Sequence, residues 1–79
     1  MITGQRALSA IAAEIRADWK AVNYAALPYL RAMLELETIQ DYYVCDKGST
    51  IVSYFLCNAS SWRGDTARRI KNELQRMIK

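Results

Sequence analysis

The chain has 79 residues, 52% of them hydrophobic, with one proline, three glycines and a formal net charge of +3. That is one domain's worth of chain, apolar enough to bury a small core and too apolar for intrinsic disorder. It contains no histidine, which removes the commonest general base and the commonest metal ligand together, so neither a metal nor a cofactor is expected.

The first helix is predicted over about residues 5–20. Leu8, Ile11, Ala12, Ile15 and Trp19 recur at helical spacing and form one apolar stripe, with Arg6, Glu14, Arg16, Asp18 and Lys20 mostly off it. Thr3 is the expected cap. The stretch Met1–Arg6 holds no apolar core of signal-peptide length, and nothing approaches the roughly 20 apolar residues of a membrane span. A soluble, cytoplasmic protein without a membrane partner is therefore expected.

After a break at Asn23 and Tyr24, a second helix is predicted over about residues 26–36. Pro28 stands near its start, where a fixed φ helps and a missing N–H costs nothing. Leu27, Leu30, Met33 and Leu34 give it an apolar side. Asp41–Ser49 reads as a connector, with Asp46-Lys47-Gly48 as its turn. Glu35, Glu37 and Asp41 make this middle region acidic, but they lack calcium-loop spacing and read as a solvated face.

The run TIVSYFLCNASS at residues 50–61 has almost no polar side. A helix that is apolar nearly all round is one enclosed by others. Gly48-Ser49-Thr50 supplies its turn and cap, and no strand partner of similar quality exists. The last helix is predicted over about residues 65–78, with Asp65 as cap and Ala67, Ile70, Leu74, Met77 and Ile78 along one side. The expected fold is all-α, a single domain over residues 1–79, with about four helices built around the central apolar one.

The charge is concentrated at one end. Residues 63–79 hold six basic and two acidic side chains, whereas residues 1–62 hold five basic and six acidic ones. On the last helix Arg68, Arg69 and Arg76 lie opposite the apolar side, with Lys71 at its border and Arg63 just before it. Such an arc can neutralise phosphates or dock on an acidic protein surface, and it also suits a plain solvent face. Laid on a helix-turn-helix, Gly64 would be the turn glycine, but Arg63 and Asp65 then occupy apolar packing positions, so that motif fits poorly.

Trp62 is open to two roles. It can plug the base of the bundle, or, beside Arg63, it can anchor a partner. Catalysis is hard to assemble, because Ser49, Ser53, Ser60 and Ser61 have no histidine to activate them and the glycines form no phosphate-cradling loop. A non-enzymatic protein is expected. Cys45 and Cys57 form no Cys-x-x-Cys pair. Cys57, inside the apolar run, reads as a small buried hydrophobe, and both thiols are expected to be reduced.

The run Ser53-Tyr54-Phe55-Leu56-Cys57-Asn58-Ala59-Ser60-Ser61-Trp62-Arg63-Gly64, with Ala67-Arg68-Arg69-Ile70-Lys71 and Glu73-Leu74 after it, resembles a family of short proteins encoded by bacteriophages and prophages. Ile15-Arg16-Ala17-Asp18-Trp19-Lys20, Ala26-Leu27-Pro28-Tyr29-Leu30 and Ala32-Met33 are similar too, so the likeness spans nearly the whole chain. That family has no established activity, and the resemblance implies an origin without a mechanism or site residues. Short phage proteins without catalytic equipment commonly bind a host macromolecule, often to block bacterial defence. An origin of that kind points to an anti-CRISPR-like inhibitor of a host protein or ribonucleoprotein complex, and the charge pattern, not the resemblance, supplies its expected contact residues, Arg63, Arg68, Arg69, Lys71 and Arg76 with Trp62. A small nucleic-acid-binding or regulatory protein, and a self-associating component of the phage particle, stay open beside it. A homodimer is compatible with any of the three.

Overall fold

The computed structural model describes residues 6–78. Four helices occur in order: α1 (Leu8–Asp18), α2 (Leu27–Met33), α3 (Gly48–Cys57) and α4 (Asp65–Ile78). A two-stranded antiparallel hairpin, β1 (Tyr42–Tyr43) and β2 (Asp46–Lys47), lies between α2 and α3, with Tyr42 opposite Lys47 and Tyr43 opposite Asp46. The chain is thus mostly helical but not purely all-α. The hairpin replaces the expected connector. Its turn falls at Val44 and Cys45, one of which, Val44, takes a left-handed φ of 60°, and the expected turn residues Asp46 and Lys47 form the second strand instead.

α1 buries Leu8, Ile11, Ala12 and Ile15, the stripe visible in the sequence. Its start needs no side-chain cap, because the amides of Leu8 and Ser9 donate to the carbonyls of Glu37 and Leu36 at 3.0 and 2.8 Å. The backbone after α2 therefore satisfies the first turn of α1. The expected cap, Thr3, lies outside the described residues.

At the break before α2, the Asn23 side-chain carbonyl accepts from the Ala25 amide at 3.0 Å, an Asx turn that feeds the chain into Pro28. The helix is shorter than its apolar spacing suggests. Past Met33 the amides of Glu35 and Leu36 reach only three residues back, to Ala32 and Met33. Asp41 then closes the loop, its carboxylate accepting from the amides of Glu37 and Thr38, both at 3.1 Å. Those two bonds hold its pKa below the ordinary value. Asp41 thus organises the turn that closes this loop.

α3 begins at Gly48, earlier than Thr50, and no hydroxyl caps it. The amides of Gly48 and Ser49 donate to the carbonyls of Asp41 and Ile39 at 2.7 and 2.8 Å. A Cβ on Gly48 would sit 2.8 Å from the Thr38 carbonyl oxygen and 2.9 Å from the Ile39 Cα, so only glycine lets the backbones approach so closely.

α3 packs against α2 on one side and α4 on the other, and α1 packs against the same two helices. It is one wall of a four-helix arrangement, not an enclosed axis. Ile51, Val52 and Phe55 are buried, while Thr50, Ser53, Tyr54 and Cys57 face solvent. The expectation of an all-round buried helix fails because small polar residues and Tyr54 share one side. Cys57 is exposed, as is Cys45, and both carry free thiols.

The core gathers Phe55 with Leu8, Ile11, Ile15, Leu30, Met33, Val52, Ile70 and Leu74, all fully buried, with no charged or polar residue among them. Among the described residues no helix is long and apolar enough to cross a membrane.

Candidate functional site

The joint between α3 and α4 is built on Trp62. Its indole, 2% exposed, stacks on Trp19 at 5.7 Å and 11° and meets Phe55 edge-on at 6.4 Å. Its Nε1–H donates to Asp18 Oδ2 at 2.8 Å, which satisfies the one polar atom of a buried indole. Trp62 is therefore a core plug, and its ring is not on offer as a partner-facing anchor. Two residues on, Gly64 turns the chain into α4 with a φ of +111°, a conformation that L side chains rarely adopt.

Lys71 leaves α4 towards this joint. Its ammonium donates to the Trp62 carbonyl at 2.6 Å and lies 5.8 Å from the indole centroid, a cation–π contact. Burial lowers the Lys71 pKa, and the nearby positive charge of Arg63 lowers it further. Arg63 and Arg68 stand beside it on the surface. Together with Ser60, Trp62 and Gly64 they line a concavity of about 400 Å³. The Arg68 guanidinium holds the carboxylate of Asp65 at 3.2 Å, where the two side chains are 73% and 97% exposed.

The other arginines of the expected arc take different roles. At about 100° per residue, Lys71 lies on one border of the buried face of α4, while Arg69 and Glu73 lie on the other, against α1. Arg69 pairs there with Glu14. Glu14 also accepts from Arg6 at 2.8 Å, and Arg6 grips Glu73 with two bonds of 3.0 and 2.8 Å. These four side chains clamp α1 to α4. The bonds from Arg6 and Arg69 hold the Glu14 carboxyl below its usual range, Arg6 does the same to Glu73, and the two carboxylates raise Arg6 in return. Arg76 is exposed on this side and lines neither the concavity nor the clamp.

The structure thus brings Arg63, Arg68 and Lys71 together and separates Arg69 and Arg76 from them. Two participants were invisible as such in the sequence. Ser60 reaches the rim because the chain past α3 tightens into short turns, with the Asn58 and Ala59 amides bonding only three residues back. Arg6 acts across 67 residues of sequence, and no local pattern marks such a partner.

A second concavity, of about 470 Å³, runs between α3 and α4 and is lined by Ser53, Leu56, Cys57, Gln75 and Ile78. Among the described residues no group of three or more Cys, Asp or Glu side chains is placed to hold a metal ion. Comparison with protein-family models, curated proteins and solved structures found no match to this chain.

Proposed function

We propose that this chain is a non-enzymatic binding protein that acts in the cytoplasm of a bacterial host by macromolecular contact, docking through the rim of Arg63, Arg68 and Lys71. The observation that carries the reading is the convergence of these three cations on one concavity, while Arg69 is committed to a contact within the fold. A cationic, concave surface on a rigid joint favours an anionic partner and speeds encounter with it. The resemblance to short phage proteins supports a host defence complex, a CRISPR effector in particular, as that partner.

The test is plaque formation by a CRISPR-targeted phage on cells expressing this chain. Wild type restores plaques, and Arg63→Glu/Arg68→Glu, which reverses two exposed charges without touching the core, does not. Equal restoration by both chains would move the contact away from this rim. Self-association is the second reading. It is favoured by the groove beside α3, a helix without a single charged residue, and light scattering across a concentration series decides it.

A further inference from the structure

We infer that the concavity ringed by Ser60, Arg63, Gly64, Arg68 and Lys71 is a phosphodiester-binding site, one that grips the backbone of a nucleic-acid strand without reading its bases. This deepens the binding-protein reading and rests on it.

The charge balance comes first. Three cations meet at one concavity, and among the described residues the carboxylate that pairs with one of them, Asp65, is almost wholly solvated. An exposed pair of that kind contributes little, so it yields readily to an incoming anion. The ammonium of Lys71 is bonded to a neutral carbonyl, is partly withdrawn from water and is repelled by Arg63. An anion entering the concavity offsets both, because an opposite charge nearby favours the charged ammonium. A nucleic-acid strand carries one phosphate per nucleotide, so a strand crossing the rim presents successive charges to the three cations. A lone acidic side chain presents one. Ser60 adds a hydroxyl that can donate to a phosphate oxygen.

The second observation is what the concavity lacks. Single-strand binders that hold bases do so on open aromatic faces. Here the one aromatic ring, Trp62, is 2% exposed, stacked on Trp19 and overlain by Lys71. No ring face is left for a base. The contacts that remain are ionic and hydroxyl contacts to phosphate, which carry no sequence information and weaken with salt.

The experiment is fluorescence anisotropy of the full chain with two labelled single strands, an oligothymidylate and a mixed-sequence strand of equal length, across a salt series. The expected slope of log K against log salt is about −2, from about 0.7 for each of three neutralised phosphates. Affinity then falls about twentyfold between about 50 and about 200 mM salt. The two strands bind within about twofold of each other. Arg63→Gln and Arg68→Gln each take about 0.7 off the slope, whereas Arg76→Gln, an exposed arginine of the same helix outside the concavity, leaves it unchanged. All three positions are solvent-facing, and circular dichroism confirms that the variants keep their fold.

Equal losses from Arg76→Gln would overturn the site, since the helix would then attract nucleic acid by net charge alone. So would a strong preference between the strands. If neither strand binds at low salt while plaque restoration still depends on Arg63 and Arg68, the rim reads protein carboxylates, and this inference falls with the binding-protein reading intact. If both measurements fail, both are wrong.

Discussion

The indole N–H of Trp62 and the carboxylate of Asp18 meet at 2.8 Å across 44 residues of sequence. Asp18 is the last residue of α1 and Trp62 precedes the turn into α4, so the bond fixes the start of α4 against the end of α1. Trp19, the next residue along, stacks on the same indole. The rim of Arg63, Arg68 and Lys71 thus inherits its geometry from a packed core rather than from a free loop, the condition for a preorganised contact surface.

Trp62→Phe tests that bond. It keeps an aromatic ring in the core but removes the donor, trims ring volume and loosens the stack on Trp19. Stability should fall by about 1–3 kcal/mol, read as a lower urea midpoint at unchanged slope. Trp62→Ala should cost about 3–5 kcal/mol. Two near-neutral results would show that the joint is held by something else.

Two glycines should be irreplaceable for different reasons. Gly48→Ala drives a Cβ to 2.8 Å from a backbone oxygen that cannot move aside, and the expected loss is about 1–3 kcal/mol. Gly64→Ala meets nothing within 4 Å, so its cost is purely conformational, about 1–2 kcal/mol at a φ of +111°. Thermal melting of both variants checks this. The Gly48 variant should also weaken the docking of α3 on residues 38–39, seen as faster amide exchange at Ser49, whereas the Gly64 variant should not.

The clamp of Arg6, Glu14, Arg69 and Glu73 makes stability depend on acid. Both glutamates hold pKa values below the usual 4.5, through their bonds to Arg6 and, for Glu14, Arg69. The folded chain therefore binds fewer protons than the unfolded one as pH drops. The stabilisation is complete above about pH 4.5 and is lost as pH falls through the lowered folded values. Arg6, raised still further from the accessible range, stays charged throughout and adds no pH dependence of its own. Arg6→Gln should flatten the decline of the melting temperature between about pH 5 and about pH 3. Asp41→Asn should remove a separate part, since that carboxylate is held down chiefly by the amides of Thr38 and Glu37, with the Thr38 side chain adding to them. An unchanged acid profile in Arg6→Gln would mean that the clamp does not couple to folding.

The sequence made most of the helical framework legible, because α1 and α4 carry stripes whose spacing leaves one choice. Leu8, Ile11, Ile15, Ile70 and Leu74 fall in the core where periodicity puts them. The hairpin was not legible. Its strands have two residues each, and its turn uses Val44 at positive φ, where residue preferences point elsewhere. α3 is not enclosed, because hydrophobic content along a run does not by itself produce burial. Tyr54 is 51% exposed on the side it shares with Thr50, Ser53 and Cys57, its ring set 5.5 Å from Tyr29. Within the basic arc, composition identified the cations, but only tertiary structure shows which of them Glu14 consumes.

The exposure of Cys57 gives the most direct check on how α3 sits. A helix sheathed on all sides would hide this thiol, and it would react with a thiol reagent only as fast as the whole fold opens. In the structure the Cys57 thiol opens onto the groove between α3 and α4, next to Ser53 and Ile78, and Cys45 lies at the tip of the hairpin. Native protein should therefore take up label at both cysteines promptly, at rates within about tenfold of the urea-unfolded chain, because neither thiol must wait for global unfolding. Mass spectrometry of the time course separates the two sites. Slow labelling of Cys57, tracking the unfolding rate as denaturant is added, would bury that face of α3 against something. If the slowing appeared only at high protein concentration, the cover would be a second copy of the chain. In that case Cys57→Ser should leave the association unchanged, since the contact would be made by the groove and not by the sulfur.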